Sequence, residues 1–199
     1  VNILLIDHYD SFSYNLLHLL KQQGAIVTVK KCDDLFLKDF EKDLFDGLVF
    51  SPGPGTVLND KDIGFSNDVL LRFIGAIPIW GVCLGHQLLG VSQGAKIKRS
   101  VPAHGKKEEI SIIDTSGVFK GFRSNILAMR YHSLALCKKD LPQNITITAE
   151  TKDGIIMGIS NQKECWFGTQ FHPESIGTPD GARMAKNFLE ITEKSLPCS

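Results

Sequence analysis

The first half of the chain alternates short apolar runs with segments of helical periodicity. The apolar runs predict buried strands at residues 2–6, 26–30, 47–50 and 77–81. The segments between them predict helices at 12–23, within 34–42, at 66–74 and at 84–93; Ser11 is expected to cap the first helix and Gly24 to end it. Apolar strands that alternate with helices are typical of a parallel sheet covered on both faces.

The second half of the chain has a different pattern, in which short strand-like segments follow one another with few helices. Strands, some of them antiparallel, are predicted at 108–113, 126–130, 145–150, 155–160 and 165–171, and a last helix at about 180–193. Neither a linker nor an internal repeat divides the chain. We therefore expect one α/β domain over residues 1–194 and a short tail at 195–199.

Composition narrows the class of protein without naming a function. The chain has 199 residues, and its 22 Lys and Arg balance its 22 Asp and Glu, so nothing favours nucleic acid or an anionic membrane as a partner. Its apolar runs are far shorter than the roughly 20 residues of a membrane helix. The five cysteines are widely spaced and lack a Cys-x-x-Cys motif. This usage predicts a reducing compartment, and hence a cytoplasmic location.

A cysteine at the end of the fourth predicted strand is the strongest candidate for chemistry. The motif Gly-Val-Cys-Leu-Gly at 81–85 resembles a sharp strand-to-helix turn that exposes a nucleophile, Cys83, and turns the N–H of Leu84 towards its substrate. A buried structural cysteine is the plainer alternative, but it would not need both glycines. A zinc site of Cys83 and His86 with His132 or His172 is a further alternative, which leaves the glycines unexplained.

A second candidate lies ninety residues downstream, in the motif His-Pro-Glu at 172–174. A residue that precedes proline favours extended backbone, and residues two apart in extended chain point the same way. His172 and Glu174 can therefore both face Cys83, the histidine as a base and the glutamate as its orienting acid. A surface turn with two solvated side chains is the alternative.

Three further segments each allow a functional and a purely structural interpretation. The turn Ser-Pro-Gly-Pro-Gly at 51–55 offers backbone N–H groups to a carbonyl or carboxylate, or is a simple turn. The segment Tyr-His-Ser-Leu at 131–134 suits substrate binding or a turn. A basic cluster is a solvated face or a docking surface; it comprises Lys96, Lys98, Arg99, Lys106 and Lys107.

Together and in this order, the motifs resemble the class I (triad-type) glutamine amidotransferases. Within that family they look like the glutaminase subunit of anthranilate synthase or aminodeoxychorismate synthase. The resemblance rests on the motifs at 6–12, 51–55, 81–87, 131–134 and 170–175, with 104–106 as a further mark of the subunit. It implies an open, mostly parallel, flavodoxin-like central sheet with helices on both faces and a small antiparallel sheet.

The resemblance also implies a role for each matching residue. Cys83 would attack the amide of glutamine, His172 would act as base and acid, and Glu174 would orient His172. The residues expected to hold the substrate, with Gly55 and Leu84 as oxyanion donors, are Gly53, Gly55, Leu84, Gln87, Ser133 and Leu134. The residues expected to lie towards a partner subunit are His104, Gly105 and Lys106.

The expected partner is the large subunit of a chorismate-utilising synthase, which would receive ammonia from this chain. No cofactor or metal is expected in this chain, and Mg²⁺ only in the partner. Alternatives are a glutaminase for another acceptor (GMP or carbamoyl phosphate synthesis), a non-catalytic subunit of the same fold, and a cysteine hydrolase of another amide. After Thr56 the chain lacks the proline usual in the family and the loop is longer, a departure that bears on partner docking.

Overall fold

The computed structural model describes residues 1–34, 44–123 and 125–194. The helix predicted within 34–42, apart from its first residue, and the tail at 195–199 lie outside the described residues.

Strands and helices follow one another along the described chain much as the hydrophobic pattern predicts. The strands are β1 (Asn2–Asp7), β2 (Ile26–Lys31), β3 (Gly47–Phe50), β4 (Ile79–Val82), β5 (Ile97–Arg99), β6 (Lys106–Ile112), β7 (Ile126–Arg130), β8 (Leu134–Leu136), β9 (Thr146–Thr151), β10 (Ile156–Asn161) and β11 (Trp166–Thr169). The helices are α1 (Ser13–Gln22), α2 (Asp60–Ile63), α3 (Ser66–Phe73), α4 (Leu84–Ser92) and α5 (Gly181–Lys194).

Within the described residues, a nine-stranded sheet has the order β2-β1-β3-β4-β11-β10-β9-β6-β7. The first five strands of this order, β2, β1, β3, β4 and β11, run parallel to one another. Each later pair of neighbours, from β11–β10 to β6–β7, is antiparallel. Strands β5 and β8 form a separate antiparallel pair. The predicted α/β fold with a parallel central sheet and a small antiparallel sheet is confirmed. The structure adds that several antiparallel strands extend the central sheet itself.

Alternating residues of the buried strands build one core on each face of the sheet. On one face, Leu5 of β1 joins a cluster with Leu16 of α1 and Phe188 of α5. On the other face, Leu4 joins a cluster with residues of α3 and α4, among them Val69 and Leu88. The predicted helices therefore cover both faces, and the functional loops are left to the ends of the strands.

The predicted start of α1 is wrong, whereas its predicted end is confirmed. Ser11 does not cap the helix, which begins at Ser13 after Phe12 and has no side-chain cap. Instead the carboxylate of Asp10 accepts the N–H of Phe12 at 2.7 Å, a local turn that competes with capping by Ser11. Gly24 lies just beyond the helix with φ of 96°, a conformation that favours glycine.

Candidate active site

The motifs singled out in the sequence follow three strands that are neighbours in the sheet. The loop at 51–57 follows β3, Cys83 follows β4, and the chain reaches His172 shortly after β11. Because β3, β4 and β11 are adjacent and parallel, their carboxyl ends lie at the same edge. Ligand sites of α/β sheets form at this edge.

Cys83 lies on a sharp turn between β4 and α4, and its glycine neighbours are required there. Its backbone has φ of 52° and ψ of −97°, which is strained for a residue with a side chain. A Cβ atom on Gly81 would lie 2.3 Å from the carbonyl oxygen of Gly85, and one on Gly85 would lie 2.5 Å from that of Phe50. The strained turn presents the Cys83 thiol beyond the end of the strand.

His172 and Glu174 form a buried pair beside the turn. Nδ1 of His172 lies 2.6 Å from Oε1 of Glu174, and their side chains are 2% and 0% exposed. The N–H of His172 donates to the carbonyl of Met129 at 2.9 Å, and the Thr178 hydroxyl donates to the His172 carbonyl at 2.7 Å. The ring of Tyr131 packs edge-on against the imidazole, with 5.0 Å between centroids. Both the backbone and the ring of His172 are therefore fixed.

The electrostatics of this pair favour a proton on His172. Burial disfavours the charged imidazole, but interactions with Cys83 and then with Glu174 outweigh it and raise the pKa of His172 well above its usual value. Because Nδ1 is bound to Glu174, Nε2 is the nitrogen left for Cys83, and it has no other hydrogen-bond partner among the described residues. A histidine in this state can stabilise a thiolate and later give up its proton.

A small cavity of about 150 Å³ opens directly beside Cys83. Its volume suits one amino acid better than a nucleotide-sized ligand, since sites for drug-sized ligands begin at about 300 Å³. All six residues predicted to hold the substrate line it. The complete lining is Gly53, Pro54, Gly55, Cys83, Leu84, Gln87, Tyr131, His132, Ser133 and Leu134.

One wall of the cavity is the loop after β3, which a buried histidine holds. The N–H of His8 donates to the Ser51 hydroxyl at 2.9 Å, and Nε2 of His8 lies 2.9 Å from the Ser66 hydroxyl. Burial lowers the pKa of His8 to about 4, so the ring is neutral at pH 7. A Cβ on Gly53 would lie 2.5 Å from Leu84 and 2.6 Å from His8, so only glycine fits this close approach.

The residues after Thr56 form a turn and then the short helix α2. Its Asp62 carboxylate accepts the N–H of Thr56 at 2.9 Å. The same carboxylate covers the α-carbon of Gly55, where an added Cβ would lie 2.2 Å from it. Ile63 and Val57 anchor the segment in the core. The segment after Thr56 therefore contacts, through Asp62, the loop that carries Gly55, one of the two expected oxyanion donors.

Gln87, which lines the cavity, also forms hydrogen bonds within the protein. Its side-chain nitrogen donates to the Leu134 carbonyl at 3.0 Å and to the side-chain oxygen of Gln170 at 3.1 Å. Both amide hydrogens are therefore used within the protein, and only Oε1 is left to contact a ligand. Gln87 thus links Leu134 in the cavity wall to Gln170, which lies two residues before His172.

Gln170 belongs to the site, although the sequence reasoning gave it no role. Its side-chain nitrogen lies 3.7 Å from the Cys83 sulfur, at hydrogen-bonding distance for sulfur. Gln170 precedes His172 by two residues, and residues two apart in extended chain face the same side. That spacing is the signal that would have found it.

The residues predicted to face a partner lie outside the cavity lining. His104 and Lys106 are exposed, and Gly105 has φ of 70° with its N–H bonded to the Arg130 carbonyl at 3.0 Å. Gly105 is thus joined to the end of β7, and none of the three lines the cavity. The residues of the basic cluster are exposed; they are Lys96, Lys98, Arg99, Lys106 and Lys107.

The alternative of a zinc site at Cys83 finds no ligand cluster in the part of the chain that is described. No three His, Cys, Asp or Glu side chains lie close enough there to hold a metal ion. His86 instead packs against β11, where a Cβ on Gly168 would lie 2.8 Å from its Nδ1, and burial lowers its pKa to about 3.

Of the helices described, none has the length and apolar character needed to cross a membrane.

Curated proteins similar to this chain are synthase components and larger fusions. The chain is 40% identical to the "Aminodeoxychorismate/anthranilate synthase component 2" of Bacillus subtilis, over 98% of both proteins. It is also 40% identical to the "Bifunctional protein TrpGD" of Thermotoga maritima, over 96% of this chain but 32% of that protein. In three such multidomain relatives the chain spans only 32%, 52% and 26% of the length.

Two solved structures and a family model agree with the fold. A protein from Thermoplasma acidophilum, named after GMP synthase, superposes with a TM-score of 0.86 over 97% of this chain and 94% of that one, at 23% identity. A glutamine amidotransferase from Thermotoga maritima superposes with a TM-score of 0.73 over 97% of this chain and 82% of that one, at 18% identity. At these identities both likenesses show the fold alone. The model "Glutamine amidotransferase class-I" matches residues 4–191, nearly the whole described chain. The chain belongs to the class I glutamine amidotransferase family.

Proposed function

We propose that this chain hydrolyses L-glutamine to glutamate and ammonia, and delivers the ammonia to the large subunit of a chorismate-aminating synthase. The observation that carries the proposal is the buried His172–Glu174 pair beside Cys83, which lines a cavity of about 150 Å³. Nucleophile, base and orienting acid are the components that acyl transfer from an amide requires.

In the first half-reaction, the Cys83 thiolate attacks the side-chain carbonyl carbon of glutamine. The carbonyl oxygen takes up negative charge, which backbone N–H groups at Gly55 and Leu84 would stabilise. The C–N bond then breaks, and protonated His172 gives its proton to the departing nitrogen. Ammonia leaves, and the glutamyl group remains bound to Cys83 as a thioester.

In the second half-reaction, water replaces ammonia as the partner of His172. Neutral His172 takes a proton from the water as its oxygen attacks the thioester carbonyl, and the C–S bond breaks. Cys83 returns as thiolate with a protonated His172, and the side-chain carboxylic acid that is formed loses its proton to solvent as glutamate is released. Glu174 keeps Nδ1 of His172 occupied throughout, so that Nε2 exchanges every proton.

The acceptor is proposed from the relatives rather than from the cavity. Proteins named component 2 of anthranilate or aminodeoxychorismate synthase match this chain over nearly their whole length, for example at 42% identity over 97% of the protein from Cyanophora paradoxa. A component 2 implies a component 1, and we propose that this partner docks near His104, Gly105 and Lys106. We propose no cofactor or metal for this chain, with Mg²⁺ confined to the partner.

A cytoplasmic location is part of the proposal. Among the described cysteines, Cys32, Cys83 and Cys137 are free, as suits a reducing compartment. A nucleophilic thiol that forms a thioester also has to remain reduced.

Glutamate release from glutamine tests the function and the partner together. The chain is assayed alone, with an anthranilate synthase large subunit and with an aminodeoxychorismate synthase large subunit, each with chorismate. Stimulation by one partner assigns the pathway, and stimulation by both makes this a shared subunit. If folded proteins release no glutamate in any mixture, the proposed function is wrong.

A further inference from the structure

His132 lies in the cavity wall between β7 and β8, and it is 5% exposed. Both of its ring nitrogens are engaged. Nδ1 lies 2.9 Å from the Leu134 carbonyl oxygen, and Nε2 lies 3.1 Å from Nε of Arg130. The side chain therefore joins the turn that lines the cavity to a buried cation behind it.

Arg130 dictates which nitrogen of His132 carries the hydrogen. A guanidinium can only donate, so Nε2 has to accept and Nδ1 has to carry the hydrogen donated to Leu134. Burial, followed by the charge of Arg130, lowers the pKa of His132 to about 4. His132 is therefore neutral at pH 7, in a single tautomer.

Arg130 is itself fixed in place. Its side chain is 3% exposed and forms an ion pair with Glu108 of β6, which is also bound by Lys106 at 3.1 Å. A buried cation with a carboxylate partner has little freedom to turn, because losing that partner would leave its charge unpaired. The donor that selects the tautomer of His132 is thus held by the neighbouring strand.

The Leu134 carbonyl receives hydrogen bonds from two side chains. Nδ1 of His132 donates from within the turn, and the side chain of Gln87 donates from α4. Ser133, the residue between, lines the cavity, and its carbonyl accepts the N–H of Ser100 at 2.9 Å. The shape of the turn at 132–134 therefore depends on one side-chain donor inside it.

We infer that His132 is a positioning residue for glutamine, which fixes the turn at 132–134 through its Nδ1–H while Arg130 keeps that hydrogen on Nδ1. The inference rests on the proposed function, since it assigns the turn to glutamine binding. The alternative is that His132 only fills space in the wall. The two readings differ in which substitution is tolerated.

Two substitutions separate the nitrogens of His132. In His132→Asn the amide nitrogen takes the place of Nδ1 and can still donate to Leu134. In His132→Gln the amide reaches towards Arg130, in the place of Nε2, and the donor inside the turn is lost. We expect His132→Gln to raise the KM for glutamine about tenfold, and His132→Asn to change it less than about threefold, because one hydrogen bond is involved.

The matched control is His18→Gln, since His18 is an exposed histidine on α1. It should leave KM and kcat unchanged. Far-UV circular dichroism and thermal unfolding show whether each variant is folded, and the alkylation rate of Cys83 by iodoacetamide shows whether the nucleophile is intact. The ¹⁵N chemical shifts of His132 should show hydrogen on Nδ1 alone between pH 6 and 8.

Equal KM values for the folded Asn and Gln variants would overturn the role of His132 and leave the proposed function standing. Hydrogen on Nε2 in the ¹⁵N spectrum would overturn it as well, independently of any activity. If the wild-type chain released no glutamate with either partner, the proposed function would fail, and with it the assignment of this turn to glutamine.

Discussion

The two sides of the cavity are held in place by different means. On the nucleophile side, Cys83 owes its position to a strained turn between two glycines, each two residues away in sequence. On the substrate side, the turn at 132–134 is shaped by side chains of Gln87 and His132, and the loop at 53–56 by Asp62. The turn that places the nucleophile thus needs a short motif and a close backbone contact with β3, whereas the groove that receives its substrate needs contacts from several elements.

On the nucleophile side of the cavity, replacing Cys83 is expected to have the largest effect on activity. We expect Cys83→Ser to lower glutamine-dependent activity at least about ten-thousandfold, because removing the nucleophile of a triad removes its combined effect. Amination by the partner subunit from free ammonia should persist. Both rates are measured with chorismate and a large subunit.

Cys137→Ser is the matched control for this substitution, since Cys137 is a free, half-buried cysteine outside the cavity lining. It should keep wild-type activity. Glutamine-dependent activity in Cys83→Ser would contradict the proposed triad.

The orienting acid is the next largest contributor on the same side. Glu174→Gln should lower kcat about a thousandfold, since loss of the carboxylate leaves the imidazole free to adopt the unproductive tautomer. It also removes one of the interactions that raise the pKa of His172, so the titration midpoint of His172 should move to lower pH. Steady-state kinetics and the NMR titration of the imidazole check the two effects. An unchanged kcat would remove Glu174 from the triad.

The glycine two residues after Cys83 tests whether the turn is fixed by close packing. Gly85→Ala would place a Cβ 2.5 Å from the Phe50 carbonyl oxygen. We expect a loss of about 3 kcal/mol in the free energy of unfolding, measured in urea, because backbone cannot move aside as a flexible side chain can. Gly75→Ala is the control, since only its positive φ opposes it and nothing lies within 4 Å. Equal losses in both variants would argue against close packing.

On the substrate side of the cavity, replacing Asp62 is expected to have the smallest effect on activity among these substitutions. Asp62→Ala removes the acceptor for the Thr56 N–H and should lower kcat about tenfold, since the oxyanion donors lose part of their preorganisation. Stability should change by less than about 1 kcal/mol because α2 is a short surface helix. Asp60→Ala on the same helix controls for charge. A kcat equal in both variants would leave Asp62 without a role in the loop.

Much of the fold and the meeting of the three motifs follows from patterns that act over short distances. Apolar runs placed β1, β3 and β4 within about two residues, and helical periodicity did the same for α3 and α4. Three elements escaped: α2 is a single turn of mostly polar residues, and β5 and β8 have three residues each, too few for a period to show. Ser11 failed as a cap because the neighbouring Asp10 makes the competing turn.

By itself the sequence determined that the segments after β3, β4 and β11 carry the candidate chemistry, and that Cys83 lies on a sharp turn between glycines. Each depends on residues close together in the chain. Only the tertiary structure decided the brace of Gln87 on Leu134, 47 residues away, and on Gln170, 83 residues away. Side-chain amides and imidazoles choose among many partners, and no local pattern encodes the choice. Packing of the sheet brings one of these partners within hydrogen-bond distance of each side chain and excludes water as a competing partner.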